Sequence, residues 1–107
     1  MFIYNFNEKG LDKFERDVNE CIRNSKKVTL VIENKIFRFA SLLNAKRDIV
    51  YISDNYKYIE FSLEAKNLSK IDLRDIVSID YINDYEEVEH CHRLFLEDMT
   101  IHINYIK

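Results

Sequence analysis

Proline is absent from this 107-residue chain, and glycine occurs once, at Gly10. Loops that cradle phosphate need several glycines so that backbone amides can close on the anion. P-loop and dinucleotide-binding chemistry is therefore excluded. Turns must be made by Asn and Asp, the side chains that best tolerate left-handed backbone. Basic charge is not in excess either: 16 Lys and Arg face 19 Asp and Glu, for a net charge of −3. Wholesale binding to nucleic acid or to an anionic membrane needs a basic footprint, which this balance does not supply. No apolar run reaches the roughly 20 residues of a membrane span, and the acidic, interrupted N-terminus does not read as a signal peptide. Cysteine is limited to Cys21 and Cys91, neither of them in a C-x-x-C pair. Cys21 falls among apolar residues, where a free thiol acts as a small hydrophobe. The expectation is a reduced, cytoplasmic protein without a disulfide.

What is present is enough for a core, with 47% hydrophobic and 33% charged residues. A chain of this length makes one domain, 1–107. Abundant Ile, Lys, Asn and Tyr point to an AT-rich genome, bacterial or phage. Residues 2–6 alternate as a short strand. Asn7 can cap a helix over about residues 8–24. There Leu11, Phe14, Val18, Cys21 and Ile22 form an apolar stripe, and Asp12, Lys13, Glu15, Arg16, Asn19, Glu20 and Arg23 form the opposite face. Gly10 in the first turn weakens this helix slightly.

After Lys26 the period changes to two. A turn at Asn34-Lys35 would pair Ile32 with Phe37 and Leu30 with Phe39. In the second hairpin, over Ile49–Phe61, a two-residue turn pairs Val50 with Ile59. A three-residue turn pairs Tyr51 with Ile59 and Ile49 with Phe61, and is preferred for the apolar face it gathers. Strand segments follow at Ile71–Leu73 and Val77–Tyr81, broken near Arg74–Ile76. The last hairpin aligns Leu94 with Ile101, Leu96 with Met99 and His92 with Ile103. The segment from Ile71 to Ile79 resembles a strand pattern common in bacterial PH-like domains, and the helix-then-strands order is similar to Sm-like proteins. Neither likeness brings a motif, and no function is carried across. The fold class expected is α+β: an N-terminal amphipathic helix followed by a small, mostly antiparallel β-barrel or strongly bent sheet of about seven strands.

Three constellations could carry chemistry. His90, Cys91, His92 and His102 include good zinc ligands. Strand alternation, however, sends His90 and His92 to one face and Cys91 and His102, beside Arg93, to the other. Cys91 with His102 and Asn104 also has the residue types of a nucleophile, base and orienting group. The chain offers no glycine-exposed amides for an oxyanion hole. No metal, cofactor or catalytic residue is assigned. Lys26-Lys27 and Lys46-Arg47 beside aromatic strands make an RNA- or DNA-binding small β-barrel one alternative reading, and a metal-binding or Cys-His protein using His90, Cys91, His92 and His102 is the other. The clearest feature is acidic and aromatic: Asp80, Tyr81, Asp84, Tyr85, Glu86, Glu87 and Glu89, in and after the Val77–Tyr81 strand segment. Carboxylates with interface-prone tyrosines suit contact with a protein partner, fast and salt-sensitive. The function expected is a non-enzymatic protein-interaction module, in its concrete form a small phage- or mobile-element-encoded inhibitor of the anti-CRISPR kind. An open sheet also has edges through which the chain could form a homodimer.

Overall fold

The computed structural model describes residues 1–43, 49–63, 66–83 and 89–106, with backbone alone at 49, 62–63, 66–69 and 89. In chain order the elements are β1 (Phe2–Ile3), α1 (Glu8–Asn24), β2 (Lys27–Glu33), β3 (Arg38–Leu43), β4 (Ile49–Ile52) and β5 (Tyr58–Leu63). There follow β6 (Lys66–Asp72), one 3-10 turn (Leu73–Asp75), β7 (Ile76–Asn83), β8 (Glu89–Leu96) and β9 (Thr100–Ile106). The fold is α+β. Six strands form one antiparallel sheet in the order β1-β7-β8-β9-β2-β3, and β4-β5-β6 form a second. Of the expected barrel or strongly bent sheet of about seven strands, the closed barrel is corrected: the described residues form two open, antiparallel sheets of nine strands in all. Closure would require β1 and β3 to meet, and they stand at opposite edges. No helix among the described residues is long and apolar enough to cross a membrane.

One apolar core joins the helix to both sheets. It takes Leu11, Phe14, Val18 and Ile22 from α1 and Val28, Leu30, Ile79, Leu94, Ile101, Ile103 and Tyr105 from the larger sheet. The smaller sheet adds Val50, Ile52, Ile59 and Phe61. Each such aliphatic side chain contributes roughly 1.5–3 kcal/mol on burial. The polar side of α1 is not simply a solvent face. Asn19 accepts the Val50 N–H at 3.0 Å and donates to the Val50 carbonyl at 2.6 Å. Glu15 accepts the Ile52 N–H at 2.6 Å, and Asp12 accepts the Tyr56 hydroxyl at 3.0 Å. Residues 12, 15 and 19 lie at helical spacing along one side: Asn19 and Glu15 occupy the hydrogen-bonding edge of β4 as a neighbouring strand would, and Asp12 holds the loop that follows it.

Two hairpin registers differ from expectation. In the first, Ile32 faces Phe39 and Leu30 faces Ser41, two residues from the predicted pairing. Asn34 does not sit inside the turn. Its N–H donates to Phe37 O at 3.0 Å, and its side-chain oxygen accepts from Ile36 N and Phe37 N, moving the reversal to Lys35-Ile36. The shift of two conserves the faces, because strand side chains repeat every two residues. In the second hairpin, neither weighed register forms: Ile52 faces Ile59 and Val50 faces Phe61, around the four-residue loop 54–57. The Ser53 hydroxyl oxygen accepts from Lys57 N and Tyr58 N and fills this wider loop. Tyr56, not an Asn or Asp, takes the left-handed backbone at φ 55°. The last hairpin has the expected register, with Leu94 against Ile101 and His92 against Ile103.

Asn7 caps α1, its side chain accepting from Gly10 N at 2.7 Å. Gly10 is more than a weak helix residue. A Cβ placed there would lie 2.1 Å from the Asn5 carbonyl oxygen, so glycine is what lets the β1–α1 connection fold back on the first turn. Alanine favours helix interiors over glycine by about 1 kcal/mol. Gly10→Ala is nevertheless expected to destabilise the protein by about 1–3 kcal/mol through overpacking against backbone. A lower urea midpoint at unchanged slope is the expected result.

Candidate functional site

The polar centre of the molecule lies where α1 passes the β1-β7-β8-β9 part of the larger sheet. Strand alternation puts His92 on the same face as Leu94, against the helix, and its ring is fully buried. A buried imidazole needs partners for both nitrogens, since an unpaired polar atom there costs about 1–3 kcal/mol. Nδ1 lies 2.7 Å from the Tyr105 hydroxyl and Nε2 lies 2.9 Å from the Tyr4 hydroxyl. The Tyr4 hydroxyl donates its single proton to Asp17 at 2.8 Å, and Lys13 donates to the same carboxylate oxygen at 2.7 Å. Only one proton arrangement satisfies the chain: Nε2–H donates to Tyr4, and Tyr105 donates to Nδ1. Rings of Tyr4, Phe14, Tyr81 and Tyr105 surround the imidazole at centroid distances of 4.9–5.7 Å.

This environment sets the titration. Burial lowers the His92 pKa to about 4, outweighing the opposing attraction of Asp17, so the ring is neutral near pH 7. Burial also raises the Tyr4 hydroxyl far above its usual range, reinforced by Asp17. For Asp17, burial disfavours the charged form, but the hydrogen bonds from Lys13 and Tyr4 prevail and hold the carboxyl below its ordinary value. With both nitrogens engaged and no solvent access, His92 has no lone pair to lend to a substrate. The relay joins β8, β9, the segment after β1 and α1 through one buried ring.

Beside the relay, a cavity of about 600 Å³ opens between the C-terminal half of α1 and the β1, β7 and β8 strands. Tyr81 and His90 form one wall, joined by a 2.6 Å contact between the Tyr81 hydroxyl and His90 Nδ1. Cys21 lines the helix wall as a half-buried free thiol. Burial, with Asp17 and Glu20 nearby, pushes its pKa up to about 11. A thiol so placed is a poor nucleophile at neutral pH.

The residues singled out by sequence are placed as follows. Asp80 is 5% exposed on the outer face and paired in bidentate fashion with Arg93 at 2.8 and 2.6 Å, so it is withdrawn from the expected contact surface. Tyr81 is half-buried and lines the cavity instead. Asp84, Tyr85, Glu86 and Glu87 lie outside the described residues, and of Glu89 only the backbone, paired with Ile106, is described. Lys26-Lys27 stand at the start of β2, whereas Lys46-Arg47 lie outside the described residues. His90 and His92 share the inner face, while Cys91 and His102 lie on the outer one, opposite Asn104 and Arg93. His102 Nε2 lies 3.2 Å from Glu33 but outside hydrogen-bond geometry, so that contact is ionic only when the imidazole is protonated. No group of three metal-ligating side chains gathers among the described residues.

Sequence reasoning missed Tyr4, Asp17 and Cys21 as neighbours of His92. The signal was present: Asp17 is flanked by Phe14, Val18 and Cys21 of the apolar stripe, and His92 alternates in phase with Leu94. No family model matches the chain, and neither a curated protein nor a solved structure matches it.

Two outcomes follow from these shifts. His92 binds its proton less readily folded than unfolded, where its pKa is 6.5. Its contribution is full above about pH 6.5 and is lost as pH falls towards 4, about 3 kcal/mol across the window. Urea titrations from pH 8 to 4.5 should show this decline. His92→Gln should start less stable and show a shallower slope. Cys21 should react with iodoacetamide at pH 8 at least about tenfold more slowly than in the urea-unfolded chain, because the shift cuts its thiolate fraction. Peptide mass analysis separates its labelling from that of Cys91.

Proposed function

We propose that the chain is a non-enzymatic protein-interaction module that engages its partner by strand addition at β3, and that the occupant this edge fits is a second copy of the chain. The observation that carries this reading is the composition of that edge. Among the described residues β3 pairs only with β2, in a regular six-residue register without a bulge. Ile36 and Phe37 at its turn are 91% and 50% exposed, and Phe39 and Leu42 within it are 43% and 66% exposed. Edge strands of monomers are usually blunted by lysines, prolines, bulges or covering elements. β4, the edge of the smaller sheet beside the helix, is guarded by Asn19 and Glu15, whereas among the described residues β3 is protected only by Arg38.

The sequence of β3 is self-complementary. A two-fold axis at Ser41 would place Ala40 opposite Leu42 and Phe39 opposite Leu43 of the second copy, apolar against apolar on both faces. Two six-stranded sheets would then continue as one across an isologous contact, the commonest symmetry of soluble oligomers. This moves the contact surface away from Asp80 and Tyr81, which the fold holds in an ion pair and in the cavity wall. It keeps the interaction-module class expected from sequence.

The test is sedimentation equilibrium of the chain and of Phe39→Lys and Leu42→Lys, from micromolar to submillimolar concentration. The unaltered chain is expected to weigh twice 12.9 kDa. Both variants should be monomeric with unchanged circular dichroism, since surface substitutions of this kind cost within about 0.5 kcal/mol. A monomeric unaltered chain, or a dimer that survives both lysines, overturns the proposal.

A further inference from the structure

The cavity between α1 and the β1-β7-β8 end of the sheet has a chemistry that the interaction reading does not use. At about 600 Å³ it falls in the size range that holds a small organic ligand. Its lining divides in two. Phe2, Tyr4 and Tyr81 bring aromatic rings, and α1 brings the carboxylates of Asp17 and Glu20, one turn apart. Among the described residues Lys13 is the one Lys or Arg in that lining, and Asp17 already holds it at 2.7 Å. Glu20 has no hydrogen-bond or ion-pair partner among the described residues, which leaves the cavity one carboxylate in excess. The polar groups of its floor are committed to one another: both His92 nitrogens are bonded, and Tyr81 meets His90. Charge can therefore be read only by the helix wall.

Lys13 shows how that wall and the rings treat a cation. Its ammonium lies 5.0 Å from the Phe2 ring centroid and 5.8 Å from that of Tyr4, with the Asp17 carboxylate as counter-ion. Ring faces and a carboxylate around one ammonium are the elements by which proteins recognise organic cations. Glu20 and Tyr81 offer the same pair of elements without a lysine of their own. We infer that this cavity binds a small organic cation, an ammonium joined by a short linker to an aromatic ring, with the ammonium at Glu20 and the ring among Phe2, Tyr4 and Tyr81. Carboxylates and phosphate esters are disfavoured by Asp17 and Glu20, and phosphates further by the missing glycine loop. Cys21 sets the depth of the site as a small neutral wall residue.

The experiment is isothermal titration calorimetry of the full chain with phenethylamine, and with 2-phenylethanol and phenylacetate as neutral and anionic counterparts. Phenethylamine is expected to bind at least about tenfold more tightly than the alcohol, a difference of about 1.4 kcal/mol, and phenylacetate not at all. Glu20→Gln, a substitution at an exposed position, should remove the preference for the amine and leave the alcohol unchanged. Cys21→Phe should abolish binding of both by filling the cavity, with circular dichroism as the check on folding. No binding of the amine, equal binding of amine and alcohol, or an amine affinity indifferent to Glu20→Gln overturns the inference, whatever Cys21→Phe does. None of these outcomes bears on the β3 contact, which lies at the opposite edge of the sheet.

Discussion

The rest of the structure is arranged around a single requirement, that the imidazole of His92 be buried without leaving a nitrogen unpaired. Strand alternation in β8 forces the residue inward with Leu94, and the helix then seals it from water. In that setting each nitrogen must be met by a partner from another element, and each partner must itself be satisfied. Tyr105 answers from β9, while Tyr4 answers from the segment just after β1 and donates its own hydroxyl hydrogen bond to Asp17 on α1. The chain of bonds ends at the partly exposed ammonium of Lys13, where solvent can supply what the interior cannot. Four elements distant in sequence are fixed relative to one another by one ring, and the short β1 gains an anchor that two paired residues alone would not provide.

A second constraint acts on the opposite flank of the helix. The smaller sheet presents an edge at β4, and Asn19, Glu15 and Asp12 meet that hairpin with side-chain groups. Asn19 offers a donor and an acceptor in the same geometry as a peptide unit, so Val50 is bonded almost as if another strand lay beside it. The helix is thus a connector between sheets, with polar bonds on one flank and apolar packing beneath. Two helix side chains, Asn19 and Glu15, bond the edge of β4, whereas β3 at the edge of the larger sheet carries the exposed apolar side chains of Phe39 and Leu42.

How far the sequence disclosed this depends on how local each determinant is. The bounds of α1, its Asn7 cap, the break before β7 and the register of the last hairpin follow from periodicity and neighbouring residues, and all were legible. The first hairpin failed by two residues because the Asn34 side chain competes with the backbone for turn hydrogen bonds, a choice that periodicity cannot weigh. The second failed because Ser53 supports a wider loop and Tyr56 accepts a left-handed backbone that composition assigned to Asn or Asp. β6 was seen only from Ile71 on, since Lys66–Lys70 alternates weakly. The pairing of β1 with β7, the bonds from α1 to β4 and the His92 relay all join residues 13 or more positions apart. The cavity was unreadable for the same reason: Phe2, Cys21 and Tyr81 share nothing in sequence that marks them as neighbours.

The order of the larger sheet also separates the two surfaces with most to offer. β1 and β3 are its opposite edges, with β7, β8, β9 and β2 between them. The cavity belongs to the β1 end, lined by carboxylates of α1 and by the rings of Phe2, Tyr4 and Tyr81. The apolar edge belongs to the β3 end. Across the outer face between them, among the described residues, Arg93 pairs with Asp80, and Glu33 stands beside both Arg38 and His102. The proposed association at β3 would draw on apolar contact and backbone pairing rather than on these paired charges. Such a contact would tolerate added salt, the reverse of the behaviour an acidic contact surface at 80–89 would impose.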